Sequence, residues 1–374
     1  MQANPKLRQK SRSFALLTAM TLFAVLAITV QGHSQKITAI NVPVAGTGAG
    51  QGTLAFGVNG SGEIVGYYYD ANNVSHSFLR KPNGTFKEFD PAGSTGTFSI
   101  GINGEGAIPG WYYDVNNVIH GFVRAPNGTI TTFDALGVGT GANQGTIAGD
   151  INDLGVIAGY YIDANNVSHG FLRSPDGDFT TFDAPGAGTG AGQGTFPQFF
   201  SCLTDLGAST GYYIDANNVD HGFVLSPDGS ITTFEAPFAG TDAGQGTFGE
   251  SINLKGETTG YYSDANNVDH GFLLNPDGGI ITINALGAGT GANQGTIPEG
   301  NNAEGVIVGQ YVDANNVDHG FVRATDGKIT RFNAPGAGTG AGQGTIPLTN
   351  NREGAISGFY IDANNVYHGF VRTP

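Results

Sequence analysis

The sequence predicts an all-β protein, a seven-bladed β-propeller built from four-stranded antiparallel blades. Three observations predict this fold. A unit of about 49 residues occurs seven times along the chain. Each unit contains four strand-length runs separated by turn-forming residues. The first run after the N-terminal segment matches a fourth strand, while the chain ends after a third strand. Repeated four-stranded units of this length are typical of propellers.

The repeat is marked by a histidine in every unit. The seven histidines are separated by 44, 49, 52, 49, 49 and 49 residues, and they are His76, His120, His169, His221, His270, His319 and His368. We number the units 1 to 7 by these histidines. Seven such units fill residues 35–374, which the sequence predicts to be a single domain.

The four strands of a unit are separated by recognisable turns. In unit 3 the runs TIAGDI, VIAGYYI, VSHGFLR and DFTTFDA are divided by NDLG, DANN and SPDG. Asn-Gly and Asp-Gly pairs accept the positive φ angles that tight hairpins need. Glycine interrupts every candidate helix, and no segment keeps a 3.6-residue period. Each unit is therefore predicted to be a four-stranded antiparallel meander.

The two ends of the repeat region are complementary. Residues 36–53, KITAINVPVAGTGAGQGT, match the fourth strand and connection KITRFNAPGAGTGAGQGT of unit 6. The chain ends with YHGFVRTP, directly after a third strand. We therefore expect the N-terminal strand to complete the last blade and close the ring, which removes the open sheet edges.

The words HGF, GYY-x-D and FDAPGA, with their spacing, resemble the HAF-type repeat family of bacterial extracellular proteins. The resemblance covers residues 36–374. This chain has Gly or Ser where that family often has Ala, and its D-A-N-N turn is unusually uniform. The resemblance implies a secreted, propeller-type repeat protein and implies no biochemical activity.

The N-terminal segment, residues 1–34, has the pattern of a secretory signal peptide. Four basic residues precede an apolar run from Phe14 to Val30, and small residues follow, which predicts cleavage near Ser34. A retained membrane-spanning helix is the alternative, because the run approaches the roughly 20 residues that span a bilayer. The segment predicts a secreted, cell-surface or periplasmic protein of a bacterium.

The remaining chain is strongly acidic. Residues 1–34 hold four of the 16 Lys and Arg residues and none of the 31 Asp and Glu residues, so residues 35–374 carry a net charge of −19. Such a surface repels nucleic acids and anionic lipids, so we expect neither nucleic acid nor, after cleavage, a membrane as a partner. Cys202 is the single cysteine, so no intrachain disulfide can form.

The D-x-N-N turns between the second and third strands are candidate ligand-binding sites. Asp and Asn at positions i and i+2 resemble the start of a calcium loop, although the later bidentate glutamate of such loops is missing. The alternative is a purely structural turn in which Asp caps the backbone and Asn adopts a left-handed conformation. The candidate residues are Asp163, Asn165, Asp215, Asn217, Asp264, Asn266, Asp313 and Asn315.

Two other repeated motifs are predicted to be structural. In a propeller, histidines on third strands of adjacent blades lie more than about 10 Å apart, too far to share one metal ion. The segment GAGTGAGQGT lacks the Lys and the following helix of a phosphate-binding loop, so it is predicted to be a connection between blades. No cofactor is predicted, with calcium at the turns as the single candidate.

The units differ at two places that could confer function. Unit 4 has an insertion of three residues, TFPQFFSCLTDLG (Thr195 to Gly207), predicted to be a bulge against the neighbouring blade. Three acids lie on strands predicted to line the channel: Asp150, Glu250 and Glu299. Glu250 and Glu299 occupy one position in adjacent units, so they could bind a cation or act as acid and base.

The function favoured by the sequence is that of a secreted, non-enzymatic binding protein. Its acidic, loop-rich face would bind an extracellular ligand, with carbohydrate or a cation as candidate classes. The first alternative is an extracellular hydrolase or lyase that uses the channel acids. The second is a purely structural or adhesive surface protein.

Overall fold

The computed structural model describes residues 35–374, which form one compact unit of 28 β-strands without a helix. The all-β prediction is confirmed. The predicted signal peptide, residues 1–34, lies outside the described residues. Nothing in the described chain is a helix long and apolar enough to span a bilayer.

The strands are short, mostly four to seven residues, and follow one another in a regular series. They are β1 (Lys36–Ile40), β2 (Gly52–Val58), β3 (Ile64–Tyr69), β4 (Ser75–Arg80), β5 (Phe86–Phe89), β6 (Gly96–Ser99), β7 (Ile108–Tyr113), β8 (Ile119–Arg124), β9 (Ile130–Phe133), β10 (Gly145–Ile151), β11 (Ile157–Ile162), β12 (Ser168–Arg173), β13 (Phe179–Phe182), β14 (Gly194–Pro197), β15 (Ser209–Ile214), β16 (Asp220–Leu225), β17 (Ile231–Phe234), β18 (Gly246–Ile252), β19 (Thr258–Ser263), β20 (Asp269–Leu274), β21 (Ile280–Ile283), β22 (Gly295–Asn301), β23 (Ile307–Val312), β24 (Asp318–Arg323), β25 (Ile329–Phe332), β26 (Gly344–Asn350), β27 (Ile356–Ile361) and β28 (Tyr367–Thr373).

Consecutive strands of a unit pair antiparallel. In unit 3, β10 pairs with β11, β11 with β12, and β12 with β13. In unit 7, β26 pairs with β27 and β27 with β28, and β28 then pairs antiparallel with β1 from the other end of the chain. The predicted strands and turns therefore occur at the predicted places, within one or two residues at each end.

Burial falls from the first strand of a unit to the fourth. Every residue of β10 is buried, whereas the two central residues of β13 are exposed. The phenylalanine two residues after the repeat histidine on the third strand is fully buried in each unit, as at Phe171. First strands are therefore internal, and fourth strands lie at the outside.

Six pairs of units are each joined by one parallel bridge at a glycine. Gly145, the first residue of β10, pairs with Ile119 at the start of β8 in the preceding unit. Gly145 has a φ of 140°, and a Cβ there would lie 1.9 Å from the Ile119 carbonyl oxygen. Only glycine permits this approach of the two backbones. Ile119 N–H also donates to the carbonyl of Gln144, at 2.8 Å.

A glutamine in the glycine-rich connection between two units forms a hydrogen bond to the turn of the second unit. Gln144 Nε2 donates to Asn166 Oδ1 in the following turn, at 2.9 Å, and its Oε1 accepts from Gly141 N–H. Asn143 N–H donates to the carbonyl of Asn117 in the preceding turn, at 2.7 Å. The same side-chain bond joins Gln51 to Asn73, Gln193 to Asn218, Gln245 to Asn267, Gln294 to Asn316 and Gln343 to Asn365.

Asparagine amides link the units at the opposite end of the strands. Each Nδ2 donates to a backbone carbonyl in the next unit, as from Asn103 to Asn152 at 3.1 Å. Asn351 donates in the same way to the carbonyl of Asn59, 292 residues earlier, at 2.9 Å. Thr204 replaces the asparagine in unit 4, so this series of bonds is interrupted there.

The left-handed asparagine of a turn gives a direct test of this coupling. Asn166 has a φ of 62°. We expect Asn166→Gly to lower the free energy of unfolding by about 1 kcal/mol, through loss of the bond to Gln144. Asn166→Ala should lower the free energy of unfolding by about 1 to 2 kcal/mol more than Asn166→Gly does, because alanine disfavours this conformation. Urea denaturation measures both, and an alanine variant as stable as the glycine variant would contradict the interpretation.

A phenylalanine at a strained position gives a second test. Phe238 has a φ of 75° and is 85% exposed, whereas Gly137 and Gly186 take its place in other units. Bulky residues rarely adopt positive φ. We expect Phe238→Gly to raise the free energy of unfolding by roughly 1 kcal/mol. The matched control Leu286→Gly removes an exposed side chain beside Gly287 and should not stabilise the protein.

Candidate functional site

Each D-x-N-N turn is held by its aspartate. Asp163 Oδ1 accepts from the backbone N–H of Asn165 and Val167, at 2.8 and 2.9 Å, and Oδ2 accepts from Asn165 Nδ2. The last asparagine of all seven turns has a φ between 60° and 63°. These are the bonds of an aspartate that caps a turn.

The same geometry holds at the other candidate ligand residues. In each of these turns the aspartate Oδ1 accepts a hydrogen bond from the backbone N–H two residues later. The pairs are Asp215 with Asn217, Asp264 with Asn266, and Asp313 with Asn315. Calcium would need several free oxygens at one point. Within residues 35–374, no three His, Cys, Asp or Glu side chains are grouped so that they could hold a metal ion.

The repeated histidines are partners of the turns. His169 stacks on Tyr161 with ring centroids 5.0 Å apart, its Nδ1 lies 2.8 Å from Asp183 Oδ1, and its Nε2 lies 3.8 Å from Asp163 Oδ2. The Nδ1 partner is a carboxylate in units 1 to 4 and an asparagine in units 5 to 7, as at Asn284. In units 2 to 7 the histidine thus connects its third strand both to its own turn and to the segment after the fourth strand.

The insertion of unit 4 reaches far beyond the neighbouring unit. Phe200 stacks on Phe56 of unit 1, with ring centroids 5.6 Å apart, and Phe199 stacks on Trp111 of unit 2 at 5.6 Å. Phe199 also contacts Tyr160 of unit 3, at 5.9 Å. The expectation of a bulge against one neighbouring blade was therefore too narrow. The extra residues carry two aromatic rings across the centre, where the first strands converge.

Asp150 stabilises this insertion through hydrogen bonds. Its Oδ1 accepts from Ile151 N–H at 2.9 Å, and its Oδ2 accepts from Leu203 N–H at 3.0 Å. Burial raises the pKa of Asp150 to about 7, against the hydrogen bonds that lower it. Cys202, which follows the phenylalanines, is fully buried. Because both carboxylate oxygens of Asp150 are in use, this acid anchors the inserted segment.

Glu250 and Glu299 are brought together by the structure. Both lie at the β-bulge of a first strand, where the registers of β18 and β22 shift. Glu250 is 7% exposed and its Oε1 accepts from Gln198 Nε2 at 3.0 Å, while Glu299 is partly exposed. Burial raises the pKa of both carboxyl groups, and the charge of Glu250 raises that of Glu299 further.

A continuous chain of aromatic rings, of which Phe56 is buried and the others are partly exposed, lies near the turns. The rings come from the first and second strands and from Phe199, and neighbouring centroids are 4.7 to 6.3 Å apart. We call this set the aromatic belt; in order it comprises Phe359, Phe56, Tyr67, Phe98, Trp111, Phe199, Tyr160, Phe196, Tyr212, Phe248 and Tyr261. Most of these residues lie two positions from the turn end of their strands, about 7 Å along the strand.

Three aspartates adjoin the belt in units 4 to 6. Asp220 pairs across the strands with Ile214, which places it on the same face as Tyr212, two residues away. Asp269 and Asp318 have the same relation to Tyr261 and Gln310. Together with Glu250 and Glu299 we call these residues the acidic arc. Asp220, Asp269 and Asp318 follow the turns closely in sequence, but the alternation of strand faces, counted from the neighbouring histidine, assigns them to the face of the belt.

Burial and nearby acids of the arc raise the pKa values of two belt tyrosines. The pKa of Tyr212 is raised first by burial and then by neighbouring groups that include Glu250 and Asp220. The pKa of Tyr261 is raised by burial, with further contributions from Glu250, Asp269 and Glu299. Burial raises the pKa of Asp220 to about 7 and that of Asp318 to about 6.

A cavity of about 400 Å³ lies at the other end of the first strands. It is lined by residues of all seven units, including Asn59, Asn103, Asn152, Asn253 and Asn302. These asparagines already use their amide groups in the bonds between units, as from Asn302 Nδ2 to the carbonyl of Asn351. Charged side chains also line this cavity, among them Asp205 and Glu353, and so does Asn350, whose buried Oδ1 has no hydrogen-bond partner among residues 35–374.

Solved structures share this fold at low sequence identity. A streptogramin B lyase aligns over 90% of this chain and 97% of its own, with 13% identity and a TM-score of 0.54. A prolyl endopeptidase aligns over 87% of this chain with 10% identity and a TM-score of 0.52, and this chain spans 46% of that enzyme. The β-propeller domain of the trilobed protease from Pyrococcus furiosus aligns over 85% of this chain and 95% of its own, with 8% identity and a TM-score of 0.46.

These similarities concern the fold alone, an all-β architecture with propeller-like structural neighbours. Comparison with family models and with curated proteins gives no match to this chain.

The raised carboxyl pKa values predict a definite pH dependence of stability. In the folded protein the pKa values of Asp150, Asp220 and Asp318 lie above 3.8, the ordinary pKa of an aspartate. These three groups therefore bind protons more tightly in the folded state than in the unfolded state. Their stabilising contribution is complete below about pH 4 and is lost as the pH rises through 6 to 7. We expect the melting temperature to fall from pH 5 to pH 8.

Asp220→Ser should reduce this fall and raise the melting temperature at pH 8. The control Asp176→Ser removes an acid that is exposed on a turn, and the fall in melting temperature between pH 5 and pH 8 should persist in it. A melting temperature that rises from pH 5 to pH 8 in the unsubstituted protein would refute the prediction.

Proposed function

We propose that this chain is a secreted, non-enzymatic, seven-bladed β-propeller of the HAF-repeat type that binds an extracellular ligand at the centre of its turn face. The antiparallel series β2 to β5 and its equivalents support blades of four strands. In the seventh, β26 to β28 are completed by β1, whose Lys36 to Ile40 pair with Thr373 to Gly369.

Closure of the ring is supported by the contacts between units 7 and 1. Gly50 N–H donates to the carbonyl of Asn365, and Gln51 Nε2 donates to Asn73 Oδ1, so one connection bonds to the turns of both units. At the opposite end, Asn351 bonds to the carbonyl of Asn59. These bonds repeat the pattern seen between units that are consecutive in the sequence.

The observation that carries the binding function is the aromatic belt. Trp111, Tyr67 and Phe359 pack against one hydrophobic cluster and remain partly exposed beside a polar, acidic face. Exposed aromatic faces beside polar groups bind ligands that have both apolar and hydrogen-bonding surfaces, and carbohydrate is one such class.

The alternative function is that of a hydrolase or lyase that uses Glu250 and Glu299, and one observation favours it. Two adjacent carboxyl groups with raised pKa values can divide the roles of acid and base, as in glycosidases. However, Glu250 is 7% exposed and already accepts a hydrogen bond from Gln198, so substrate access is poor. The named activities of the lyase and the endopeptidase belong to those proteins, and the fold they share with this chain carries no activity with it.

Other features support an extracellular binding role and exclude some partners. The net charge of −19 over residues 35–374 opposes binding to nucleic acids. The signal-peptide pattern of residues 1–34 supports export. A purely structural or adhesive role would leave the differences between units without a function, which is why we prefer a binding site at the centre.

Trp111 provides an internal reporter, because it is the only tryptophan of the chain and lies in the belt. A ligand that binds at the belt should change the emission of Trp111, and Trp111→Phe should retain binding and lose the signal. We propose to titrate a panel of oligosaccharides and small organic solutes while following fluorescence and heat. Heat of binding without any change in tryptophan emission would place the site elsewhere and overturn the proposal.

Hydrolysis can be followed in the same titrations. The binding function predicts that every ligand is recovered unchanged after prolonged incubation. Product formation that is lost in both Glu250→Gln and Glu299→Gln would instead establish the hydrolase alternative.

A further inference from the structure

We propose that a groove between units 4 and 5 binds an arginine side chain of a polypeptide partner, with the guanidinium group over the ring of Phe234. No residue that lines this groove belongs to the aromatic belt, so the inference goes beyond the proposed function. Three observations carry it: a position at which five units have arginine and two have leucine, the space that leucine leaves, and an aromatic ring that other grooves use to hold a guanidinium group.

The replaced residue stands at the end of the third strand. This position is arginine in units 1, 2, 3, 6 and 7 and leucine in units 4 and 5. The arginines are Arg80, Arg124, Arg173, Arg323 and Arg372, and the leucines are Leu225 and Leu274. The change from a long cationic side chain to a short apolar one is therefore confined to two adjacent units.

In three grooves between units, the arginine lies over a phenylalanine on the fourth strand of the preceding unit. The pairs, with the distance from the guanidinium carbon to the ring centroid, are Arg124 over Phe89 at 5.0 Å, Arg173 over Phe133 at 4.4 Å and Arg372 over Phe332 at 4.9 Å. The face of an aromatic ring attracts a cation. Each of these grooves is therefore a guanidinium site that the chain fills with its own side chain.

The groove between units 4 and 5 keeps the phenylalanine and lacks the arginine. Phe234 stands in the place of Phe332, and Leu274 stands in the place of Arg372. The groove has a volume of about 480 Å³, whereas the equivalent groove between units 6 and 7, which Arg372 lines, has about 290 Å³. The shorter leucine thus leaves space that an arginine fills elsewhere.

A glycine in the hairpin after the third strand gives an independent indication of this space. A Cβ on Gly128 would lie 3.3 Å from Arg124 Nη2, and a Cβ on Gly177 would lie 3.3 Å from Arg173 Nη2. A Cβ on Gly278, the equivalent glycine of unit 5, would have no atom of the described residues within 4 Å. In unit 5 none of these residues therefore takes the place that the guanidinium group has in units 2 and 3.

The residues that line the groove suit an arginine side chain. Val224, Leu274 and Ile280 provide apolar surface for its methylene groups, and Glu235 provides a negative charge. Glu235 already has hydrogen-bond partners, so it acts through its charge. No Lys or Arg is among the described residues that line the groove. The net charge of −19 over residues 35–374 also attracts a cationic partner.

The mixed lining favours an arginine residue of a polypeptide over a free guanidinium ion. A free ion would leave the apolar part of the groove uncovered, whereas an arginine side chain covers it with its methylene groups. Thr232 and Thr233, on the outer strand β17, are exposed and also line the groove. They offer hydrogen-bonding groups to the backbone on either side of the bound arginine.

The repeat supplies the substitutions for a test. Leu274→Arg restores the residue that five units have and should fill the groove from within the chain. The matched control Leu225→Arg makes the same change in unit 4, and Leu225 does not line the proposed site. Phe234→Ile removes the aromatic face, and the fold already has an isoleucine, Ile283, at this position of unit 5.

The test is calorimetry with the peptide acetyl-Gly-Arg-Gly-amide and with its citrulline counterpart, in which a neutral urea group replaces the guanidinium group. We expect the arginine peptide to bind and the citrulline peptide to bind at least about fivefold more weakly. Phe234→Ile should weaken binding of the arginine peptide at least about threefold, through loss of the ring face. Leu274→Arg should abolish this binding, and Leu225→Arg should bind as the unsubstituted protein does.

Failure of the arginine peptide to bind would overturn the inference, and so would equal affinity for the citrulline peptide. Full affinity in folded Leu274→Arg or folded Phe234→Ile would overturn it as well, with folding checked by circular dichroism. Binding lost in Leu225→Arg and kept in Leu274→Arg would place the site between units 3 and 4 and contradict the assignment. The proposed function is tested separately, because an oligosaccharide at the belt changes the emission of Trp111 and the arginine peptide should leave it unchanged.

Discussion

The hydrogen bond between the glutamine of each glycine-rich connection and the left-handed asparagine of the next turn is the interaction on which the architecture depends. Gln144 contacts Asn166 through its side chain, while the residue before it bonds to Asn117 in the preceding unit. Two units are thereby held at one connection, and the glycines give the backbone room to approach. The asparagine can serve because Asp163 caps the turn and leaves Asn166 at positive φ.

The remaining features of a unit follow from that arrangement. The histidine contacts the capping aspartate and the end of the fourth strand, so the turn is fixed relative to the outer strand. The first strands are consequently held side by side at the centre, where their side chains meet those of other units. Identical units would create a symmetric centre. The insertion with Phe199 and Phe200, the acids of units 4 to 6 and Gln310 make it asymmetric, with an aromatic part and an acidic part.

Much of this could be predicted from the sequence because it depends on local chemistry. The strands and turns are encoded by alternating apolar residues and by Asn-Gly, Asp-Gly and Asp-x-Asn-Asn, which act within a few residues. The position of Phe200 against Phe56 could not be predicted, because it joins residues 144 positions apart and depends on how far the insertion extends. Asp220 is close to the turn residue Asp215 in sequence, yet the alternation of strand faces places it on the same face as Tyr212.

The central claim is that the repeated turns hold the fold together and that ligand recognition belongs to the residues in which the units differ. Trp111 fluorescence and calorimetry with the panel of oligosaccharides, recorded for the unsubstituted protein and for Asn166→Gly, test it most directly. The account predicts that a bound oligosaccharide changes the emission of Trp111, and that Asn166→Gly lowers the stability of the protein while the affinity for the oligosaccharide stays the same. Heat of binding that is lost in folded Asn166→Gly, with no change in Trp111 emission in the unsubstituted protein, would contradict it.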